Sequence, residues 1–220
     1  KETGILAPLI PGNVAGWLTL HETYGSMERQ RLFQPAVDYA RDGFPITHLN
    51  SRMMARSAPR LALFPSASII LDENGNAPRA GARHRMPQLA ESLQSVAADG
   101  METFYRGPLA ERIVAGNQEM GGLFTLDDMA AYRAEWQEPI SVDYRGYEVR
   151  TTPPNSSGFQ ILQTLKLMGG FDGSDVVFQH PNTLHLLMEA VKLCVTDRIE
   201  YAGDPDHVHI PVGALLSDAY

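Results

Sequence analysis

Apolar residues recur at three- and four-residue spacing through the first two-thirds of the chain, and Gly or Pro interrupts each run. That pattern predicts short amphipathic helices. Val14, Trp17, Leu18, His21 and Tyr24 predict a first helix with Gly25 as a left-handed stop. Leu32, Ala36, Val37 and Ala40 predict a second that ends at Gly43, with Pro35 in its first turn, where a missing amide costs little. Thr47 is placed to cap a third, ending before Pro59. Ser68 to Leu71 reads as a short strand running into the turn Asp72-Glu-Asn-Gly75, and Pro78 to Arg85 as a basic loop. Two further stripes follow: Leu89, Leu93, Val96 and Ala97, closed by Asp99-Gly100, then Leu109, Ile113 and Val114, closed by Gly121-Gly122. Thr125, with Asp128 three residues on, forms a capping box for the next helix, and the acid suits its positive end.

The period changes at Pro139. Ile140 to Tyr144, Arg145-Gly146, and Tyr147 to Thr152 predict a tight β-hairpin that Pro153-Pro154 terminates. Ser157 with Gln160 makes a second capping box, and Leu162, Leu165 and Met168 run down to Gly169-Gly170. The longest predicted helix covers Asn182 to about Tyr201. Its apolar face is Leu184, Leu187, Met188, Val191, Val195 and Ile199, opposite His185, Glu189, Lys192 and Thr196. Lys1 rather than Met opens the sequence with no signal pattern after it, so the start reads as processed, cut or excerpted. Leu215 to Tyr220 reads as a helix only begun. With no repeat or low-complexity linker, the expectation is a helix-rich α/β or α+β fold whose hairpin joins a larger sheet.

Composition narrows the function. The 220 residues are 44% hydrophobic and 20% charged, an ordinary globular balance with room for a full core. Eighteen Lys and Arg against 26 Asp and Glu leave a net charge of −8, which gives no general attraction to nucleic acid or anionic lipid. No apolar run approaches the ~20 residues of a membrane-spanning helix. The single cysteine, Cys194, excludes an internal disulfide within these residues and a multi-cysteine metal site.

Five features invite a chemical reading, and each has a plainer one. His207-Val-His209 has a spacing that metal sites use on one strand face, but no third ligand stands at a fixed offset, which favours loop histidines. Asp72-Glu-Asn-Gly-Asn76 has its Gly two places early for a calcium loop and Arg83 where a bidentate Glu is required, so it reads as a turn. Cys194 lies on or beside the apolar face of the long helix and reads as a small buried hydrophobe rather than a nucleophile. Asn155-Ser-Ser157 is formally a glycosylation acceptor. Ser156-Ser157-Gly158, at a helix start where amides attract anions, lacks the Gly of a nucleophile elbow and reads as a cap. Asp127-Asp128 and Asp197-Arg198 read as a capped terminus and a surface or inter-helix ion pair. No phosphate loop, HExxH or Ser-His-Asp spacing is present.

The ordered punctuation is a different kind of signal. Pro11-Gly-Asn-Val-Ala-Gly16, Tyr24-Gly25, Pro35-Ala36 and Ala40-Arg-Asp-Gly-Phe44 come first, then Met86-Pro-Gln-Leu-Ala90, Phe104-Tyr-Arg-Gly107, Gly121-Gly-Leu-Phe-Thr-Leu-Asp-Asp128 and Ala131-Tyr132. Tyr144-Arg-Gly-Tyr-Glu-Val149, Pro153-Pro154, Ser156-Ser-Gly158, Glu189-Ala190, Lys192, Asp197-Arg198, Gly203-Asp-Pro205 and Leu215-Leu216 complete the set. This set resembles the large subunit of the γ-glutamyltranspeptidase family, whose relatives include cephalosporin acylase-like and oxamate amidohydrolase-like enzymes. Pro153-Pro-Asn-Ser-Ser-Gly-Phe159, Met86-Pro-Gln-Leu-Ala90 and Cys194-Val-Thr-Asp-Arg198 depart from the usual family runs.

The resemblance implies an αββα sandwich of the N-terminal-nucleophile hydrolase type, with residues 1–220 as one domain portion of a self-processed large subunit. It implies that the nucleophilic Thr is carried by a small subunit cut from the same precursor, with the free α-amino group as local base and backbone amides stabilising the oxyanion. The substrate class is a small-molecule amide, γ-glutamyl or, alternatively, a β-lactam side chain or oxamate. No cofactor is implied. No catalytic, substrate-binding or metal-ligating residue is assigned within this chain: the match starts downstream of the family's carboxylate-gripping Arg, and Arg83, Arg85 and Arg150 are not promoted in its place. A catalytically silent binding domain is the remaining alternative.

Overall fold

Start signals written into the sequence set several helix N-termini in the computed structural model, which describes residues 4–220. These residues divide into two compact units, one running through Glu135 and one from Trp136 to Tyr220. The sequence reading treated 1–220 as one domain portion.

The first unit holds α1 (Asn13–Tyr24), α2 (Arg29–Asp42), β1 (Phe44–Pro45), α3 (His48–Leu61), a 3-10 helix (Pro65–Ile69), β2 (Arg83–His84), α4 (Pro87–Asp99), α5 (Met101–Tyr105), α6 (Pro108–Glu119) and α7 (Leu126–Ala131). Thr47 caps α3, its side chain accepting from the Asn50 amide. Thr125 and Asp128 close a reciprocal capping box on α7. Pro87 and Pro108 occupy first-turn positions of α4 and α6, where an amide would be unpaired anyway.

The core of this unit gathers Val14, Ala15 and Leu18 of α1, Val96, Tyr105, Leu109, Ala110, Val114 and Met129. Tyr105 anchors it. Its hydroxyl donates to the Pro11 carbonyl at 2.7 Å and accepts from the Ala15 amide at 3.0 Å, while its ring stacks on Tyr132 at 5.6 Å. A smaller contact joins α2 to α4 through Val37, Ala40 and Ala90, with Leu93 against them. Arg29 then closes the C-terminus of α4, its Nε and Nη2 donating to the Ala97 and Ala98 carbonyls.

Several expectations change here. The buried face of α1 is Val14, Ala15 and Leu18, whereas Trp17 and Tyr24 are exposed. Gly25 is extended (φ −69°, ψ 131°) rather than left-handed. Its glycine identity follows from crowding, because a Cβ would strike the His21 carbonyl and ring. Helix α2 begins at Arg29, so Pro35 is an interior proline, which removes one helical hydrogen bond. Leu32 and Ala36 are exposed. Helix α3 runs through Pro59 to Leu61, and Leu89 of the α4 stripe is exposed.

Ser68 to Leu71 is not a strand. Pro65 opens a 3-10 helix there, with the Ile70 and Leu71 amides donating back to the Ala67 carbonyl. The run has no polar alternation to support a half-buried strand. The basic loop ends in a strand: Arg83–His84 pairs antiparallel with Phe44–Pro45. Arg83 and Arg85 are drawn in because their guanidinium groups donate to the Asp42 and Gly43 carbonyls at the end of α2.

The second unit holds β3 (Ile140–Tyr144), β4 (Tyr147–Thr151), α8 (Gly158–Gly169), α9 (Pro181–Tyr201) and α10 (Val212–Leu215). The hairpin is as expected, pairing Ile140 with Thr151, Val142 with Val149 and Tyr144 with Tyr147. Arg145 (φ 55°) and Gly146 (φ 86°) take the two left-handed positions that a twist-matched two-residue turn requires. Among the described residues its sheet has two strands. Helix α8 packs on both strands and on α9.

The Ser157 capping box does not form. No side-chain cap is present at Ser157, and the Ser156 hydroxyl instead accepts the Gly158 amide at 3.1 Å. Gly158 is needed for close approach, since a Cβ would lie 2.8 Å from the Thr152 carbonyl and 2.7 Å from Thr151 Cγ2. Helix α9 spans the predicted residues, but it buries Ala190 and Cys194, leaving Leu184, Leu187, Met188 and Ile199 exposed. The expected terminal helix is instead α10, followed by a turn in which Ser217 Oγ accepts the Tyr220 amide.

Candidate functional site

Of the motifs singled out for chemistry in sequence, Cys194 and Asp197 line one cavity, and the others lie apart from it. Asp72 is a turn residue, its carboxylate accepting the Asn74 and Asn76 amides, which hold its pKa below the usual carboxylate range. Asp128 is lowered by the Thr125 hydroxyl and amide, a cap and nothing more. His207 and His209 lie in an exposed turn rather than on a strand, and His207 Nε2 stands 4.0 Å from Asp204. They face a recess of about 570 Å³ with Pro153, Pro154 and Pro205. Among the described residues no group of three His, Cys, Asp or Glu could hold a metal. Asn155 is exposed in the turn before α8. Cys194 is 1% exposed, and burial pushes its thiol up, away from the thiolate that a nucleophile needs.

Asp197 is the exception, because it does not behave as the expected ion pair. Its Oδ2 accepts from Gln163 Nε2 at 2.8 Å and its Oδ1 from the Tyr220 hydroxyl at 2.8 Å. That hydrogen bond to Asp197 raises the Tyr220 hydroxyl. Nearby, Lys166 Nζ meets Asp218 Oδ1 at 2.5 Å and holds that carboxylate low. These side chains share a cavity of about 850 Å³ with Cys194, Leu193 and Leu215, and it is the site the geometry of the second unit presents.

Helix α8 places Gln163 in this wall because Phe159, Leu162 and Gln163 fall at i, i+3 and i+4, the spacing of its packed face. Sequence reasoning passed over Gln163, and a polar residue on an otherwise apolar stripe was the signal. The cavity offers a buried amide, carboxylates and one ammonium. Among the described residues it presents no activated nucleophile: burial raises its thiol, and the Thr196 hydroxyl donates to the Lys192 carbonyl rather than to a base.

Comparison with known proteins accounts for the whole length. The family model for gamma-glutamyltranspeptidase matches residues 1–220. The glutathione hydrolase proenzyme of Escherichia coli is 38% identical over 220 residues, covering 99% of this chain and 38% of that protein. The acylase ACY 1 proenzyme of a Pseudomonas species is 34% identical over 218 residues, covering 99% and 39%. Among solved structures, the γ-glutamyltranspeptidase of Helicobacter pylori superposes with a TM-score of 0.92 at 30% identity, over 100% of this chain and 63% of that one. The chain thus spans about two fifths of the length of these curated relatives.

Proposed function

The chain belongs to the γ-glutamyltranspeptidase family, and from that premise we propose that it is the large-subunit portion of a self-processed amidohydrolase that cleaves γ-glutamyl amides by acyl transfer. In this reading residues 1–220 form one part of the large subunit within an αββα sandwich. The small subunit, cut from the same precursor, brings the Thr whose hydroxyl attacks the amide carbonyl. The freed α-amino group takes the hydroxyl proton and returns it to the leaving amine, and water or an acceptor amine then attacks the acyl-enzyme. The described residues act as framework: α8 braces the hairpin and α9, while Tyr105 locks α1 to α5.

The observation that carries the reading is the family match along all 220 residues, supported by the TM-score of 0.92. The test is to express the complete gene. Intact-mass measurement is expected to find two fragments, the smaller beginning with Thr, and the product is expected to release aniline from a γ-glutamyl anilide. A product that stays in one piece and releases nothing overturns the proposal.

A second reading has its own support in the 34% identity to an acylase proenzyme. It keeps the architecture and the Thr, and changes the acyl group to a β-lactam side chain or oxamate. Release rates on cephalosporin and oxamate amides beside the γ-glutamyl anilide separate the two.

A further inference from the structure

The hydrogen bonds of Gln163 determine which way its amide lies. Nε2 donates to Asp197 Oδ2 at 2.8 Å and to the Leu215 carbonyl at 3.3 Å. Both neighbours are acceptors, so the reversed amide would set its oxygen against a carboxylate and a carbonyl. Oε1 therefore points away from them, and it has no hydrogen-bond partner among the described residues. Gln163 is only 4% exposed. A carbonyl oxygen desolvated to this degree without a donor is a rare and costly state in a folded protein.

The wall that holds Gln163 encloses about 850 Å³, and it is mixed: Leu167, Leu193 and Leu215 stand beside Lys166 and Asp197. Leu193 is 62% exposed and adjoins the uncovered residues of α9, so the apolar wall continues onto an open helix face rather than closing around a small molecule. Ser217, Asp218 and Tyr220 form part of the same wall, which places any residues that follow Tyr220 at the mouth of the cavity. The curated relatives are about two and a half times as long as this chain, so polypeptide is on hand to fill it.

We propose that this cavity is a socket for the segment that follows Tyr220 in the longer polypeptide. That segment seats apolar side chains against the exposed Leu167 and Leu193. The proposal rests on the reading of the chain as part of a longer precursor. It goes beyond that reading in naming which surface the remaining chain covers.

The test uses the complete gene product with a photoreactive benzoylphenylalanine in place of Leu193 or, separately, of Thr196, both exposed wall positions. After irradiation and tryptic mass spectrometry, the expected adduct is with the peptide immediately after Tyr220. Thr196→Trp in the same product is expected to lower Tm by about 2 °C, because the indole takes up space the segment needs, and an unchanged Tm counts against the socket. Adducts confined to residues 1–220, or formed only with the second subunit, overturn the proposal, as does a cross-link whose formation is blocked by a γ-glutamyl substrate added before irradiation. Cleavage of the parent precursor is read on the same gel. An uncleaved parent counts against self-processing, while the cross-link still reports on the socket.

Discussion

The two units close their cores in different ways. In the unit through Glu135, one continuous cluster from α1, α4, α5, α6 and α7 closes around Tyr105, whose hydroxyl is fully used. In the unit from Trp136, Phe159, Leu162, Met168 and Cys194 make a narrower core, while Phe178, Met188, Leu193 and Ile199 stand more than 60% exposed. Burial of apolar area drives folding at roughly 25 cal/mol per Å². Residues that could contribute that way and do not are surface left over from local folding. The first unit satisfies its largest buried polar side chain internally, whereas the second leaves Gln163 Oε1 unpaired. The first unit also leaves Leu9, Leu63 and Leu123 more than 70% exposed, so the contrast lies in how each unit pairs its buried polar groups.

The sharpest way to break this comparison is Tyr105→Ala. It deletes a buried ring together with two hydrogen bonds, and about 3–5 kcal/mol of stability should be lost on urea denaturation of the purified protein. A loss below that of any substitution in the second unit would reverse the contrast. Gly158→Ala pushes a methyl group into Thr151 and Thr152 and should cost about 1–3 kcal/mol by the same measurement.

Thr125→Ala removes the α7 cap and should cost about 1 kcal/mol. That cap also has a pH signature. The folded pKa of Asp128 lies below its unfolded value, so the contribution is fully present above the ordinary carboxylate range and fades as pH falls through the lowered value. Thr125→Ala should therefore flatten the acid limb of a stability profile, and an unchanged limb would remove Asp128 from the cap. The smallest effect is expected for Lys166→Met. Its partner Asp218 is 97% exposed, and pairs of that kind contribute little, so Tm should stay within error. A fall there would show that the pair is covered in the assembled protein, sharpening the case for the socket.

Much of this was legible in the residue order. Thr125 and Asp128 announced a capping box because the motif is local, and Arg145-Gly146 announced a hairpin because few residues tolerate a left-handed turn. The 3-10 helix at Pro65 and the bridge between Phe44–Pro45 and Arg83–His84 were not legible. The first turns on a proline's fixed φ against a weak apolar run, and the second pairs residues about forty positions apart. The cavity was hidden for the same reason. Gln163, Asp197, Leu215 and Tyr220 are brought together by three separate helices and the turn that follows the last, and nothing in their spacing says that they meet.

The sequence alone indicated a helix-rich mixed α and β class, the presence of most of the long helices, the hairpin turn and, through its ordered motifs, the family. The helices and the turn are set by short-range backbone chemistry. Only the tertiary structure decided which face of each helix is buried, how Asp197 is used, and that the second unit keeps an open wall. Those outcomes depend on which of several apolar stripes finds a partner, and no local propensity carries that information.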